Sequence, residues 1–183
     1  MQWLRDEDFE RGQTPMTKFE TRVLTLALLD VTPGDVFLDI GAGTGSIAIQ
    51  AALHGALVYA IERDAVSVAL IRQNAAKFGA AVEIIHGRAP EALAAAPDFH
   101  ACFIGGSAGH LADIVRAADA RLPAGGRLAA NFIQPGRMVE LQTLLATLNY
   151  HQIETRLLQT AALDGMGLLR GQNPVFLVRG TKT

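Results

Sequence analysis

The stretch that decides the fold is Val36-Phe37-Leu38-Asp39-Ile40-Gly41-Ala42-Gly43-Thr44-Gly45-Ser46. A short apolar run comes first, and glycines then occupy three alternate positions. Apolar runs of this length, bounded by turn residues, are typical of buried strands. Alternate glycines suit a turn that must reverse direction and let a ligand approach the backbone. The stretch therefore predicts a strand at 36–40, a ligand-binding turn at 41–45 and a helix that begins at Ser46.

Strand-like and helix-like patterns alternate on both sides of that turn. Upstream, a capping-box pattern predicts a helix from Thr17 to a point before Pro33. Downstream, the spacing predicts strands at 57–61, 82–86, 101–104 and 128–133, and helices at 46–54, 64–78, 137–148 and between the fourth strand and residue 120. Two strand-like runs, 152–160 and 175–178, follow without a helix between them. This order predicts an α/β fold: a mostly parallel, seven-stranded sheet covered on both faces, with a terminal hairpin that adds one antiparallel strand.

Composition limits the classes of protein and partner. Half of the 183 residues are hydrophobic and 19% are charged, which predicts one globular domain over 1–183 with an N-terminal lead at 1–16. The net charge of −2 provides no general attraction to nucleic acid. The apolar stretches are shorter than the ~18–20 residues of a membrane span, and the acidic lead does not resemble a secretory signal, so we expect it to be solvated.

Cysteine and histidine positions disfavour a metal centre. Cys102 is the single cysteine, so neither an internal disulfide nor a thiolate cluster can form, and a cytoplasmic, reducing compartment is expected. Its apolar strand context predicts a core thiol. The five histidines show no ligand spacing, and no metal site is predicted.

Glu62 completes a candidate nucleoside site. It ends the second predicted strand, 19 residues after Gly43, where a carboxylate can accept hydrogen bonds from both hydroxyls of a ribose. The dinucleotide fingerprint would place its third glycine at position 46, where this chain has Ser46, and this departure counts against NAD. Each feature alone also has a structural interpretation, as an ordinary turn or a solvated glutamate.

The Asp-x-Gly-x-Gly-x-Gly pattern at 39–45, with an acidic end to the next strand, resembles the Rossmann-like class I methyltransferases that bind S-adenosylmethionine. The resemblance implies that the turn surrounds the methionine part of the cofactor and that Glu62 holds its ribose. The residues of that turn are Gly41, Ala42, Gly43, Thr44 and Gly45.

Further segments narrow the family. They are Phe9-Glu10-Arg11-Gly12-Gln13, Thr17-Lys18-Phe19-Glu20-Thr21-Arg22, Gly87-Arg88-Ala89-Pro90-Glu91-Ala92-Leu93, Gly105-Gly106-Ser107-Ala108-Gly109 and Asn173-Pro174-Val175. The series resembles the cobalamin-pathway methyltransferases that act on C15 of a precorrin and decarboxylate its ring C acetate. That family includes the C-terminal half of bifunctional precorrin-6Y C5,15-methyltransferases and free-standing equivalents.

The family resemblance implies further contacts and an assembly. Thr17 would place its hydroxyl on the cofactor carboxylate, and Ala89 would meet the adenine through its backbone. A homotetramer is implied, as is a fused or associated C5-methyltransferase half. The chain departs from the family at Arg88, where many members carry Asp, and at Ala108, which replaces a common glycine.

The substrate side is predicted from the chemistry of a precorrin, whose several carboxylates should be met by arginine, polar and backbone donors. Methyl transfer from a sulfonium is an in-line displacement that depends on placement, so no catalytic residue is assigned. The candidate substrate-binding residues are Gly106, Ser107, His110, Arg137, Arg170 and Asn173. Apolar residues between Leu157 and Leu169 are predicted to form the contact between subunits.

Two alternatives from other classes stay open on sequence alone. The first is a class I methyltransferase that acts on tRNA or protein. RNA would demand a basic surface, and the Asn-Pro-Pro-aromatic motif of amine methyltransferases is absent after the fourth predicted strand. The second is a non-catalytic domain that binds the cofactor and docks onto a fused enzyme half.

Overall fold

A computed structural model describes residues 3–183. The main sheet consists of β1 Val36–Ile40, β2 Leu57–Glu62, β3 Val82–His86, β4 Ala101–Ile104, β5 Arg127–Phe132, β6 Tyr150–Leu158 and β9 Val175–Lys182. The helices are α1 Phe19–Leu28, α2 Ser46–Leu53, α3 Ala65–Phe78, α4 Leu111–Asp119 and α5 Pro135–Thr147. A small ribbon pairs β7 Ala161–Leu163 with β8 Leu169–Gly171, and 3-10 turns lie at Asp6–Asp8 and Glu91–Ala95.

The strand order of the main sheet is β3-β2-β1-β4-β5-β9-β6. Strand β9 runs antiparallel to both of its neighbours, and the pairs from β3 to β5 are parallel. The predicted Rossmann-like fold, with one antiparallel strand from a terminal hairpin, is confirmed. Because the order reverses between β1 and β4, a crevice opens at the carboxyl ends of these strands.

Side chains of the central strands alternate between two cores, as the pleat of a strand requires. Phe37 packs with residues of α1 and α2, whereas Leu38 packs with residues of α4 and α5. Cys102 is fully buried on the second face, and burial raises the pKa of its thiol above the ordinary value. Among the described residues, no helix is long and apolar enough to cross a membrane.

The start of α1 differs from the prediction. The helix begins at Phe19 with Lys18 as its N-cap, and the side chain of Lys18 forms no capping hydrogen bond. The prediction of a capping box that starts at Thr17 is therefore wrong. The Thr17 carbonyl instead accepts from the Arg22 guanidinium at 3.0 Å. The chain is therefore still extended at Thr17, which keeps this residue beside the crevice.

From residue 3 onwards, the N-terminal lead is anchored to the domain, contrary to the expectation of a solvated segment. Residues 1 and 2 of the predicted lead lie outside the described residues. Leu4 and Phe9 are buried, and Asp6 lies 3.4 Å from the guanidinium of Arg22. The backbone N–H of Glu10 donates to the side chain of Asn74 at 2.8 Å. Two apolar anchors and these polar contacts hold the lead against the domain despite its acidic cluster. The β7–β8 ribbon is a second element that the sequence did not predict.

Candidate functional site

A cavity of about 1420 Å³ lies at the carboxyl ends of the central strands. Its wall combines the lead, the loops that follow β1 to β5 and residues that flank the β7–β8 ribbon. The largest groups in this wall are Gln13 to Lys18, Gly41 to Gly43, Glu62 to Asp64, Gly87 to Ala89, Gly105 to Ala108 and Asn131 to Ile133. The volume exceeds the roughly 300–1,000 Å³ of a typical small-molecule site, so it has room for two ligands side by side.

The three glycines of the turn after β1 serve three different contacts. All have positive φ, and a Cβ on Gly41 would lie 2.7 Å from the Gly106 carbonyl oxygen, which closes the turn onto the loop after β4. A Cβ on Gly43 would lie 3.1 Å from the Pro15 carbonyl oxygen of the lead. A Cβ on Gly45 would meet Ile71 in the core. Gly41 and Gly43 line the cavity, whereas Gly45 faces the core.

Glu62 holds the glycine turn in place. One carboxylate oxygen accepts from the Gly43 N–H at 2.9 Å, and the other accepts from Arg63 N–H at 2.8 Å and Asp64 N–H at 2.9 Å. The residue is 8% exposed and lines the cavity. A carboxylate can accept about four hydrogen bonds, so capacity for a ligand hydroxyl remains.

Asp39 brings a buried carboxylate to the cavity wall. It is 1% exposed, and its Oδ2 accepts from the Ala48 N–H at 3.1 Å. Its Oδ1 has no hydrogen-bond partner among the described residues. Burial raises the pKa of Asp39 to about 7, the charge of Glu62 adds to the rise, and the Ala48 hydrogen bond opposes it. A buried acceptor without a donor is costly, so this atom is a natural partner for a cationic ligand group.

A smaller cavity of about 260 Å³ adjoins the first one. The two share Gly105, Gly106, Ser107, Asn131, Phe132 and Ile133 in their walls. Arg137 lines the smaller cavity and forms an ion pair with Glu140 at 2.7 Å. Among residues 3–183, no group of three or more His, Cys, Asp or Glu side chains is placed to hold a metal ion.

A family model described as "Precorrin methyltransferase domain" matches residues 7–182. The chain belongs to the precorrin methyltransferase family. It is 35% identical to a cobalt-precorrin-6B C(15)-methyltransferase (decarboxylating) of Salmonella typhimurium, over 96% of this chain and 94% of that relative. A probable enzyme of the same name from Sulfurisphaera tokodaii is 37% identical, over 97% and 96% of the two chains.

Solved structures agree with the family assignment. A precorrin-6Y C5,15-methyltransferase from Geobacter metallireducens superposes with a TM-score of 0.93 at 31% identity, over 99% of this chain and 97% of that chain. A precorrin-8W decarboxylase from Methanobacterium thermoautotrophicum gives 0.88 at 29% identity, over 97% and 98%. A tRNA (m1A58) methyltransferase from Aquifex aeolicus, at 17% identity, shares the fold alone. The resemblance inferred from the sequence motifs is confirmed.

In this precorrin methyltransferase, the wall of the larger cavity includes most of the residues expected to bind the cofactor. Thr44 and Gly45 lie outside it, because Thr44 is 1% exposed and Gly45 caps α2. Ala108 has a φ of +49°, in the left-handed region that favours glycine. The residues of the predicted cofactor set that line the larger cavity are Thr17, Gly41, Ala42, Gly43, Glu62 and Ala89.

The predicted substrate-binding residues of the methyltransferase are divided. Gly106, Ser107 and Asn173 line the larger cavity, and Arg137 lines the smaller one. His110 precedes α4 with its ring nitrogen 3.9 Å from Asp113, and Arg170 binds Asp164 at 2.8 Å within the ribbon. Neither His110 nor Arg170 belongs to the wall of either of these two cavities.

Sequence reasoning gave no role to two polar residues of the methyltransferase site. Asp39 was visible as the first residue of the glycine pattern, but nothing in the sequence showed that one of its oxygens lacks a donor. Asn131 lies near the end of β5, where the alternation of inward and outward side chains gave no sign that it lines both cavities.

Proposed function

We propose that this chain transfers a methyl group from S-adenosylmethionine to C15 of a precorrin of the precorrin-6B type and decarboxylates its ring C acetate side chain, in cobalamin biosynthesis. The observation that carries the proposal is the larger cavity, whose wall contains the predicted nucleoside-site residues Gly43 and Glu62. The same wall also contains Ser107, Phe132, Ile133 and Asn173, which we call the open half of the cavity. The near full-length similarity to relatives with this activity in their names supports the substrate class.

The residues of the first half fit S-adenosylmethionine. The cofactor has an ammonium group, and the charge of buried Asp39 in the cavity wall would attract it. Glu62 would accept from the ribose, and the backbone of Gly43 would border the cofactor, since this residue lines the cavity. Thr17 would donate to the cofactor carboxylate, and the backbone of Ala89 would meet the adenine. Thr44 and Gly45 would act through the backbone conformation of the turn.

The cofactor supplies an electrophilic methyl group, and the protein contributes placement. The nucleophile is an electron-rich meso carbon of the substrate, so no side chain has to attack the cofactor. The loop at 105–108 borders both halves of the cavity, where carbon and methyl would be brought into line. A Cβ on Gly106 would meet nothing within 4 Å, which leaves space at this point. The conjugated macrocycle accepts the electron pair released by decarboxylation.

The open half provides the substrate surface. Phe132 and Ile133 offer apolar contacts for the macrocycle, and Ser107 and Asn173 offer polar contacts for its side chains. His110 and Arg170 stay predictions as substrate ligands. Arg170 lies on the ribbon, so its contribution would depend on assembly.

A homotetramer is the assembly that we propose. Five large apolar side chains between 157 and 169 are 52–75% exposed, an unusually apolar surface for a monomer. They are Leu157, Leu163, Met166, Leu168 and Leu169. Strand β6 forms the adjacent edge of the main sheet, which a second copy would cover. An associated C5-methyltransferase half and a cytoplasmic location stay predictions.

The direct test is to incubate the protein with S-adenosylmethionine and either precorrin-6B or its cobalt complex, and to follow the tetrapyrrole by mass. We expect the product to gain one methyl group in place of hydrogen and to lose one carbon dioxide. An unchanged tetrapyrrole with both substrates would overturn the proposal, as would methylation at a carbon other than C15. A Glu62→Ala variant serves as the control for turnover at this site.

A further inference from the structure

The smaller cavity has a distinct chemical character. No aspartate or glutamate belongs to its wall, and Arg137 is its one charged residue. Ser107, Asn131 and Gln134 add a hydroxyl and two amides, and no partner among residues 3–183 forms a hydrogen bond with these side chains. A pocket with one cation, several free polar groups and no acid favours an anion that accepts hydrogen bonds.

The size of the smaller cavity restricts that anion. Its 260 Å³ is about nine times the volume of a water molecule in the liquid. A tetrapyrrole macrocycle is far too large for this space, whereas an acetate or propionate side chain fits with water to spare. Because the cavity shares six wall residues with the larger one, a side chain could enter it while the macrocycle lies in the open half.

Arg137 has donors available for such a side chain. Its guanidinium carries five N–H groups, and the Glu140 carboxylate takes the bond from one terminal nitrogen. The side chain is 40% exposed, so the ion pair with Glu140 is a partly solvated one and is weak. The guanidinium of Arg137 can therefore donate hydrogen bonds to a second carboxylate while it keeps its ion pair with Glu140.

Resting on the proposed function, we infer that the pocket formed by Ser107, Asn131 and Arg137 binds a carboxylate side chain of the tetrapyrrole that is retained in the reaction, and that Arg137 is thereby a positioning residue. The acetate carboxylate that leaves as carbon dioxide binds away from Arg137, because a guanidinium stabilises the ionised acetate and so opposes decarboxylation. In that step the bond between the side-chain carbon and the carboxyl carbon breaks. The electron pair enters the macrocycle, carbon dioxide leaves, and a proton from water completes the new methyl group.

The test compares Arg137→Ala with Arg116→Ala in the complete protein. Arg116 is an exposed arginine of α4 outside both cavity walls, so the control removes the same charge from another helix. For each variant, turnover of precorrin-6B and of its cobalt complex gives KM, kcat and the ratio of carbon dioxide released to methyl transferred. A titration of the coloured substrate without cofactor gives its Kd, and a melting curve reports folding.

We expect Arg137→Ala to raise KM and the substrate Kd about tenfold, to change kcat by less than threefold and to leave the ratio of the two products at one. Arg137→Lys should recover part of the affinity, because an ammonium keeps the charge but lacks the fork. Arg116→Ala should match the wild type.

Three results would overturn the inference. An unchanged KM and Kd in Arg137→Ala would show that the pocket binds no part of the substrate. A methylated product that retains the acetate carboxylate would place the leaving group at Arg137 instead. Absence of turnover by the wild type would remove the proposed function and this inference with it, whereas the first two results leave the proposed function intact.

Discussion

At the scale of single residues, Glu62 joins the fold to the site. Its carboxylate fixes the glycine turn through Gly43 and caps the end of β2 through the next two N–H groups. We expect Glu62→Ala to weaken S-adenosylmethionine binding by at least about tenfold, since a hydrogen bond to a charged group contributes roughly 1.5–3 kcal/mol. Calorimetric titration measures the loss. Glu83→Ala, an exposed glutamate of β3, is the matched control and should bind normally.

The same contacts of Glu62 predict a structural effect. Three backbone N–H groups lose their acceptor in Glu62→Ala, so its melting temperature should fall in the absence of ligand as well. If the variant keeps wild-type affinity for the cofactor, Glu62 is not a ribose ligand and only holds the turn.

Asp39 predicts how stability depends on pH. Its pKa rises from an ordinary 3.8 to about 7 on folding, because burial disfavours the charged form. The folded chain therefore holds this proton more tightly than the unfolded chain. The stabilisation that the Asp39 proton provides is complete below pH ~4 and declines between pH ~4 and pH ~7, above which the contribution of Asp39 no longer changes. The total decline is a few kcal/mol at most, since one pKa unit corresponds to ~1.4 kcal/mol.

Denaturation of the ligand-free protein across this pH range checks the Asp39 prediction. Asp39→Asn keeps an acceptor for the Ala48 N–H but cannot titrate, so its stability should depend less on pH between 4 and 7. Equal slopes for wild type and variant would contradict the assignment. An ammonium group at Asp39 would favour the ionised form, so cofactor binding near pH 6 should release a proton.

The residues of the site show what a sequence can and cannot reveal. Gly43 and Glu62 were predictable, because one spacing after a buried strand brings both to the same edge of a parallel sheet. Asp39 was not, because its role depends on a missing donor, which only the packing around β1 and α2 determines. Arg170 stays a prediction as a substrate ligand, and the sequence did not show that Asp164 would bind its guanidinium.

At the scale of elements, the lead depends on Arg22. This arginine of α1 is 0% exposed and donates to the carbonyls of Leu4 and Thr17 at 2.7 and 3.0 Å. We expect Arg22→Ala to lower the free energy of unfolding by ~3 kcal/mol, because the buried Leu4 carbonyl, the partly buried Thr17 carbonyl and Asp6 lose their partner. Chemical denaturation measures this. Arg11→Ala, at an exposed position of the lead, should change stability by less than about 0.5 kcal/mol.

The position of the lead adds a functional consequence to Arg22→Ala. Residues 13–18 line the larger cavity, so release of the lead should also weaken S-adenosylmethionine binding. A variant that loses stability but binds the cofactor normally would show that residues 13–18 keep their place without Arg22.

The elements differ in how well local patterns specify them. The strands from β1 to β4 were predicted to within one residue at each end, because apolar runs between turns are local signals. The lead was misjudged, because its anchors Leu4 and Phe9 are single apolar residues within an acidic segment. Thr17 was taken for a cap, since the sequence did not show that Arg22 would bind its carbonyl.

At the scale of the whole molecule, the exposed apolar side chains of the β7–β8 ribbon are the basis of the homotetramer that we propose. Leu168 and Leu169 are 52% and 71% exposed, and β6, which precedes the ribbon in the chain, lies at the edge of the main sheet. Burial of such apolar area drives association, at roughly 25 cal/mol per Å². We expect a species near four times the 19.5 kDa chain mass by light scattering at micromolar concentration. A monodisperse species of the chain mass would contradict the homotetramer.

A double substitution on the ribbon tests whether this surface forms the contact between subunits, as a separate question from whether a tetramer exists. Because charged side chains oppose burial, Leu168→Asp with Leu169→Asp should dissociate the tetramer into smaller species that keep the melting behaviour of a folded chain. Leu57→Asp, at a 60% exposed site of β2 far along the sheet from β6, is the matched control and should leave the mass unchanged. If the double variant stays tetrameric, the subunits meet elsewhere. If it dissociates and loses turnover while S-adenosylmethionine still binds, the substrate half of the cavity needs a neighbouring copy, as the position of Arg170 on the ribbon suggests.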